Sequence, residues 1–174
     1  MATDPDDERL NAIDRILREH AEVERTMDEQ AAAVLARQRA FVEAFVDRCR
    51  DELCPEMEII VARLRQDGGD GLVAFEPHGG RAGPEPRLTL WMSIEGEITG
   101  TPRQDRHPYL QFDAVVDHQQ VRVSEGDMWH GGGTHHSGPV AMWELERLTA
   151  RAVIDEVVAI LARAAVEPGW ADPS

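Results

Sequence analysis

The chain has 174 residues, with 33 acidic side chains against 18 basic ones and a formal net charge of −15. That balance opposes binding to nucleic-acid phosphates, which basic side chains must neutralise, and to anionic membrane surfaces, while it permits a basic protein partner. A hydrophobic content of 42% excludes wholesale disorder, and the length suits one core-bearing domain with an appended element.

Glycine divides the chain. None occurs before Gly68, thirteen of the fourteen lie between Gly68 and Gly138, and the last is Gly169. Glycine is costly inside a helix, so the glycine-free stretch, rich in Ala, Glu, Arg, Leu and Val, reads as helix and the glycine-rich middle as turns between strands. Residues 1–67 are expected to form a helical arm, 68–167 an antiparallel sheet with a closing helix, and 168–174 a loose tail. The acidic opening, Met1 to Glu8, is unlike the cationic start of a secretory leader, and no apolar run approaches the roughly 20 residues that cross a bilayer, so a cytoplasmic protein is expected. All basic residues are Arg, as a GC-rich genome would dictate.

The arm opens well. Asp4 is placed to cap, Pro5 fits the first helical position, and Asp6, Asp7 and Glu8 suit the positive end of the helix dipole. An apolar stripe follows at steps of three and four: Leu10, Ile13, Leu17, Met27, Ala31, Val34, Phe41, Phe45 and Cys49. His20, Glu24 and Gln38 interrupt it, so an ideal two-stranded coiled coil is not indicated. Pro55 lacks the N–H of a helix interior and predicts a kink or break near Leu53. A second segment, 56–66, carries Met57, Ile60, Val61 and Leu64 and ends at Asp67-Gly68-Gly69, a glycine cap. A helix from Pro5 to Leu53 would be about 70 Å long, and no Gly, Pro or Asn marks a turn between residues 12 and 54. Its stripe therefore predicts pairing with a second copy, through Ile13, Leu17, Met27, Val34, Phe41 and Phe45, in preference to a shorter bent helix that completes the core of one copy. Cys49 and Cys54 match neither a redox nor a zinc-pair spacing and are expected as reduced thiols.

Strands are expected at 71–76, 87–95, 110–116, 121–123 and 140–146. Leu88, Leu90, Met92 and Ile94 share one face; Thr89, Trp91 and Ser93 share the other. Leu110, Phe112, Ala114 and Val116 repeat the pattern opposite Gln111 and Asp113, and 117–120 turns the chain back. Every strand connection is too short for a helical crossover, so the sheet is antiparallel. Thr149 caps a last helix over 150–165, with Ala152, Ile154, Val157, Val158, Leu161 and Ala165 as its apolar face. The predicted fold is α+β: a long N-terminal helix kinked near Pro55, four to five antiparallel strands and a C-terminal helix on the sheet, in two layers.

Four places bear on chemistry. Asp127, His130, His135 and His136 fall within ten residues on a glycine-rich loop, and three imidazoles with a water form a known catalytic zinc arrangement. Adjacent His135 and His136 point apart in extended backbone, so the loop also reads as a solvated hairpin. Trp91 lies on the strand face turned from Leu90 and Met92, where it either marks an interface as an exposed aromatic or is covered by the N-terminal helix. Arg103, Arg106 and His107 form a local basic cluster fit for an anion, and Asp113 reads as a solvated carboxylate. His130-Gly-Gly-Gly133 resembles an esterase oxyanion segment, but no Gly-x-Ser-x-Gly elbow accompanies it.

The leading expectation is a non-enzymatic acidic protein that acts through protein–protein contacts: a homodimer serving as an adaptor, chaperone-like factor or neutraliser of a basic protein, without cofactor, nucleic acid or membrane. Small bacterial chaperones and adaptors are similar in element order, though a shared order does not carry function. The alternative is a small zinc enzyme that activates water on the His-rich loop.

Overall fold

Helix α1 runs from Pro5 to Arg48 without interruption, and no Gly or Pro follows Pro5 within it. In the computed structural model, backbone is described for residues 5–80, 83–127 and 136–164, and side chains within those spans from residue 10 onward. Asp4, Ala165 and the 168–174 tail lie outside the described residues. The chain divides into two compact units, Met1–Ala40 and Phe41–Ser174.

In the first unit the helix is held by its own surface. Pairs one turn apart link Arg15 to Glu19, Glu22 to Arg25 and Arg25 to Glu29 at 3.6–4.0 Å. Each such exposed pair contributes about 0.3–0.5 kcal/mol, enough to favour helix but not to bury anything.

In the second unit the last turns of α1 pass into one π-helical turn, Cys49–Leu53, and then into α2, Cys54–Gln66. The expected kink at Pro55 is thus realised as a wider turn in an unbroken helix. Cys54 donates its N–H to the carbonyl of Cys49, five residues back, and Pro55 sits in the first turn of α2, where a missing N–H is harmless. The turn also serves packing. Phe41, Phe45, Cys49, Leu53, Met57 and Val61 recur every four residues and are all buried. A four-residue step overshoots a helical turn by about 40° at 3.6 residues per turn, and one wide turn winds part of that drift back, so all six face the core.

Helix α2 ends as expected. Gly68 has φ +88°, Gly68 N–H donates to Arg65 O, and Gly69 N–H donates to Leu64 O at 2.9 Å, which is a Schellman cap.

Five strands follow: β1 (Asp70–Glu76), β2 (Arg87–Ser93), β3 (Tyr109–Val115), β4 (Gln120–Gly126) and β5 (Ser137–Trp143). They form one antiparallel sheet in chain order, each strand paired with the next. The β3–β4 turn places Gln119 at φ +51°. After β5 a 3₁₀ turn, Leu145–Arg147, replaces the strand end expected to reach residue 146. Helix α3, Ala150–Ala164, is capped by Thr149, whose Oγ1 accepts from Ala152 N–H at 3.2 Å.

The fold is α+β, with a five-stranded antiparallel sheet and a C-terminal helix. Leu88, Leu90, Met92, Leu110, Phe112, Ala114, Val121, Val123 and Trp143 make the inner sheet face, in one core with Phe41 to Val61 and with Val153, Val157 and Ile160 of α3. The core corrects two sequence assignments. Phe41 and Phe45, expected at an intermolecular interface, are taken by the chain's own sheet. Along α3 the buried line is Val153, Val157, Ile160 and Ala164, whereas Val158, expected inside, is 61% exposed. Steps of four, three and four give the narrower stripe; Val158 is adjacent to Val157 and turned about 100° from it.

Polar bonds tie the helices together. Arg48 donates to the carbonyls of Leu145 and Leu148, and Glu52 accepts the N–H of Ala150, so the end of α1 holds the segment that launches α3.

Candidate functional site

Three places carry the side chains singled out from the sequence. At the mouth of the 128–135 segment, Asp127 Oδ1 accepts the N–H of His136 at 2.9 Å, and Asp127 N–H donates to His136 O at 3.2 Å. Asp127 Oδ2 also accepts from Arg163 Nε at 3.1 Å, and Glu125 accepts from the same guanidinium at 2.6 Å. Glu125 and Asp127 are both buried, so Arg163 of α3 neutralises two carboxylates at the end of β4. Burial by itself would lower the Arg163 pKa, but the charge and hydrogen bonds of Glu125 and then Asp127 outweigh it and raise it. Asp127 is therefore a bracket between the loop ends and α3. His136 is exposed; His130 and His135, named with it as zinc ligands, lie outside the described residues. Among the described residues no three His, Cys, Asp or Glu side chains gather as a metal site.

The outer sheet face is the second place. Asp113 is 1% exposed and accepts from Arg87 Nε, from Gln111 Nε2 at 2.9 Å and from Arg122 Nε at 3.4 Å. The expectation of a solvated carboxylate is overturned: cross-strand register sets Arg87 and Arg122 directly beside Asp113, from β2 and β4. Gln111 also meets Thr89. Trp91 is half-buried, its ring 5.3 Å from that of Tyr109, which in turn lies over Gly126 and bonds Ser137. Asp113 thus ties Arg87, Gln111 and Arg122 together across three strands. In the basic loop cluster, Arg103 chelates Asp105 through two bonds of 2.8–2.9 Å. At the start of β1, Asp70 is held below the usual carboxylate range, first by the Arg65 hydrogen bond and then by the N–H of Ile98.

The third place is the first unit's helix. Leu10, Ile13, Leu17, Met27 and Val34 lie on it between 46% and 64% exposed. Ile16, Val23 and Leu35 add three more exposed apolar side chains, unmarked by the sequence reading. They stand beside the three-four stripe rather than in it, so a search for the stripe alone passes over them. Positions 10, 13, 17, 20, 24, 27, 31 and 34 alternate steps of three and four, with His20 and Glu24 as the central polar pair, 3.7 Å apart. Cys49 and Cys54 are free thiols, and burial pushes the pKa of each up.

No family model, no curated protein and no solved structure matches the chain. Among the described residues no helix is long and apolar enough to cross a membrane.

Proposed function

We propose that this protein works by association rather than catalysis, and that its first partner is a second copy of itself, joined along the 10–35 face. One observation carries this reading. Eight large apolar side chains between Leu10 and Leu35 are 46–64% exposed, at a spacing that lines one side of a helix. Scattered surface leucines need no explanation, but eight exposed apolar side chains gathered on one helix do. Most helical stability comes from packing of such a face, which the exposed i,i+4 ion pairs cannot replace. The charge of −15 supports the rest of the reading: an acidic pair that holds a basic protein, as an adaptor or chaperone-like factor. Two free thiols suit a reducing compartment such as the cytoplasm.

Sedimentation equilibrium tests the self-association. The full chain is expected to be dimeric at micromolar concentration. Leu17→Glu with Met27→Glu places two charges in the seam and is expected to weaken the dimer by about 100-fold or more, equivalent to about 2.7 kcal/mol. The near-ultraviolet circular dichroism of the second unit should not change, because neither residue enters its core. A monomer at tens of micromolar, or a double variant that dimerises as tightly as the parent, removes the proposal.

A further inference from the structure

The exposed stripe has an internal symmetry. Its positions are 10, 13, 17, 20, then 24, 27, 31, 34, and the second half mirrors the first about residue 22. Laid antiparallel on itself about that point, position 10 meets 34, 13 meets 31, 17 meets 27 and 20 meets 24. Resting on the self-association proposed above, we infer that two copies pair antiparallel in this register, with His20 of each chain against Glu24 of the other.

Two features favour this register over the parallel one. The first is charge. A parallel pair sets Glu24 on Glu24 and His20 on His20 at the centre of the seam, where like charges are desolvated together. The antiparallel pair makes two complementary His20–Glu24 contacts instead, each reinforced by the one-turn contact of 3.7 Å within its own helix. A single polar layer in an apolar seam costs stability and selects register. The second feature is size. Parallel pairing puts Ala31 on Ala31 and leaves a gap, whereas the antiparallel register sets Ala31 under Ile13, Leu17 against Met27 and Leu10 against Val34. Val23 then flanks the centre beside its own copy. One feature opposes the register: Asp14 comes near Asp28 of the other chain at the rim. Rim charges are solvated and screened, so the central layer outweighs them. The stripe ends at Val34, short of Phe41, so the register needs no residue that the second unit's core has taken.

Spin labels decide the geometry. Glu22→Cys and Ala36→Cys lie opposite the stripe, fourteen residues or two repeats apart, and are used one at a time in a Cys54→Ser background with buried Cys49 left in place. The antiparallel register predicts an intermolecular distance near the helix-pair width for Glu22→Cys, and an added axial offset of about 42 Å for Ala36→Cys, from 28 residues at 1.5 Å each. Equal label distances at the two positions overturn the register but leave self-association standing. A monomer by sedimentation with no intermolecular dipolar signal overturns both.

Discussion

Arg163 shows how much one side chain decides. Glu125 and Asp127 share its guanidinium, and both carboxylates are buried. Arg163→Ala would leave two buried negative charges facing each other. Breaking a fully buried pair costs about 3–5 kcal/mol. Because the guanidinium is 43% exposed, the expected loss is smaller, about 2–3 kcal/mol, read from urea unfolding, with Arg163→Lys recovering part of it. The role of Arg163 was not legible in the sequence. It lies 36 residues from Asp127, and nothing local marks the pair. Asp113 makes the same point in reverse. Its alternating position beside Gln111 reads as a solvated face, yet it is among the least exposed side chains, because β2 and β4 each bring it an arginine. A polar residue on a strand is solvated only when its cross-strand neighbours leave it room.

At the scale of elements, local chemistry was readable. Glycine's absence marked the helix, Thr149 marked the start of α3, and Asp67-Gly68-Gly69 marked the end of α2. These signals act within one turn of chain, so no distant contact is needed to read them. The two glycines of that cap make different demands. Gly68 needs its positive φ but has open space around it, whereas a Cβ on Gly69 would fall onto the backbone carbonyl of Ser93. Gly68→Ala is expected to cost about 1 kcal/mol of left-handed strain, with Gly68→Asn milder. Gly69→Ala should cost more, since backbone must move, and the order of thermal midpoints is expected to be parent, Gly68→Asn, Gly68→Ala, Gly69→Ala. The reverse order for the two alanine variants would mean that conformation, not space, limits the cap. The π turn was only half legible. Pro55 predicts a disturbance, but its form depends on the need to keep Phe41 through Val61 facing one core.

For the whole molecule, the proposed pairing works against charge. Two copies of −15 repel, so raising the salt concentration should favour association. Going from 50 to 300 mM sodium chloride is expected to tighten the dimer by roughly threefold to tenfold in sedimentation experiments. Weakening with salt would mean that cross-chain ion pairs, and not the apolar stripe, hold the copies together.

Element order, strand direction and the inner sheet face were all determined by the sequence itself, because each follows from short-range rules: glycine cost, alternation of apolar residues and connections too short for a crossover. The stripe from Leu10 to Val34 and its break at His20 and Glu24 are also written there. Only the tertiary structure decided how that stripe divides, with Phe41 and Phe45 taken into the core and Leu10 to Leu35 left exposed. Only it showed Asp113 and Asp127 to be buried and paired. The reason is that burial and pairing are set by neighbours brought from far along the chain, and periodicity names a face without naming what covers it.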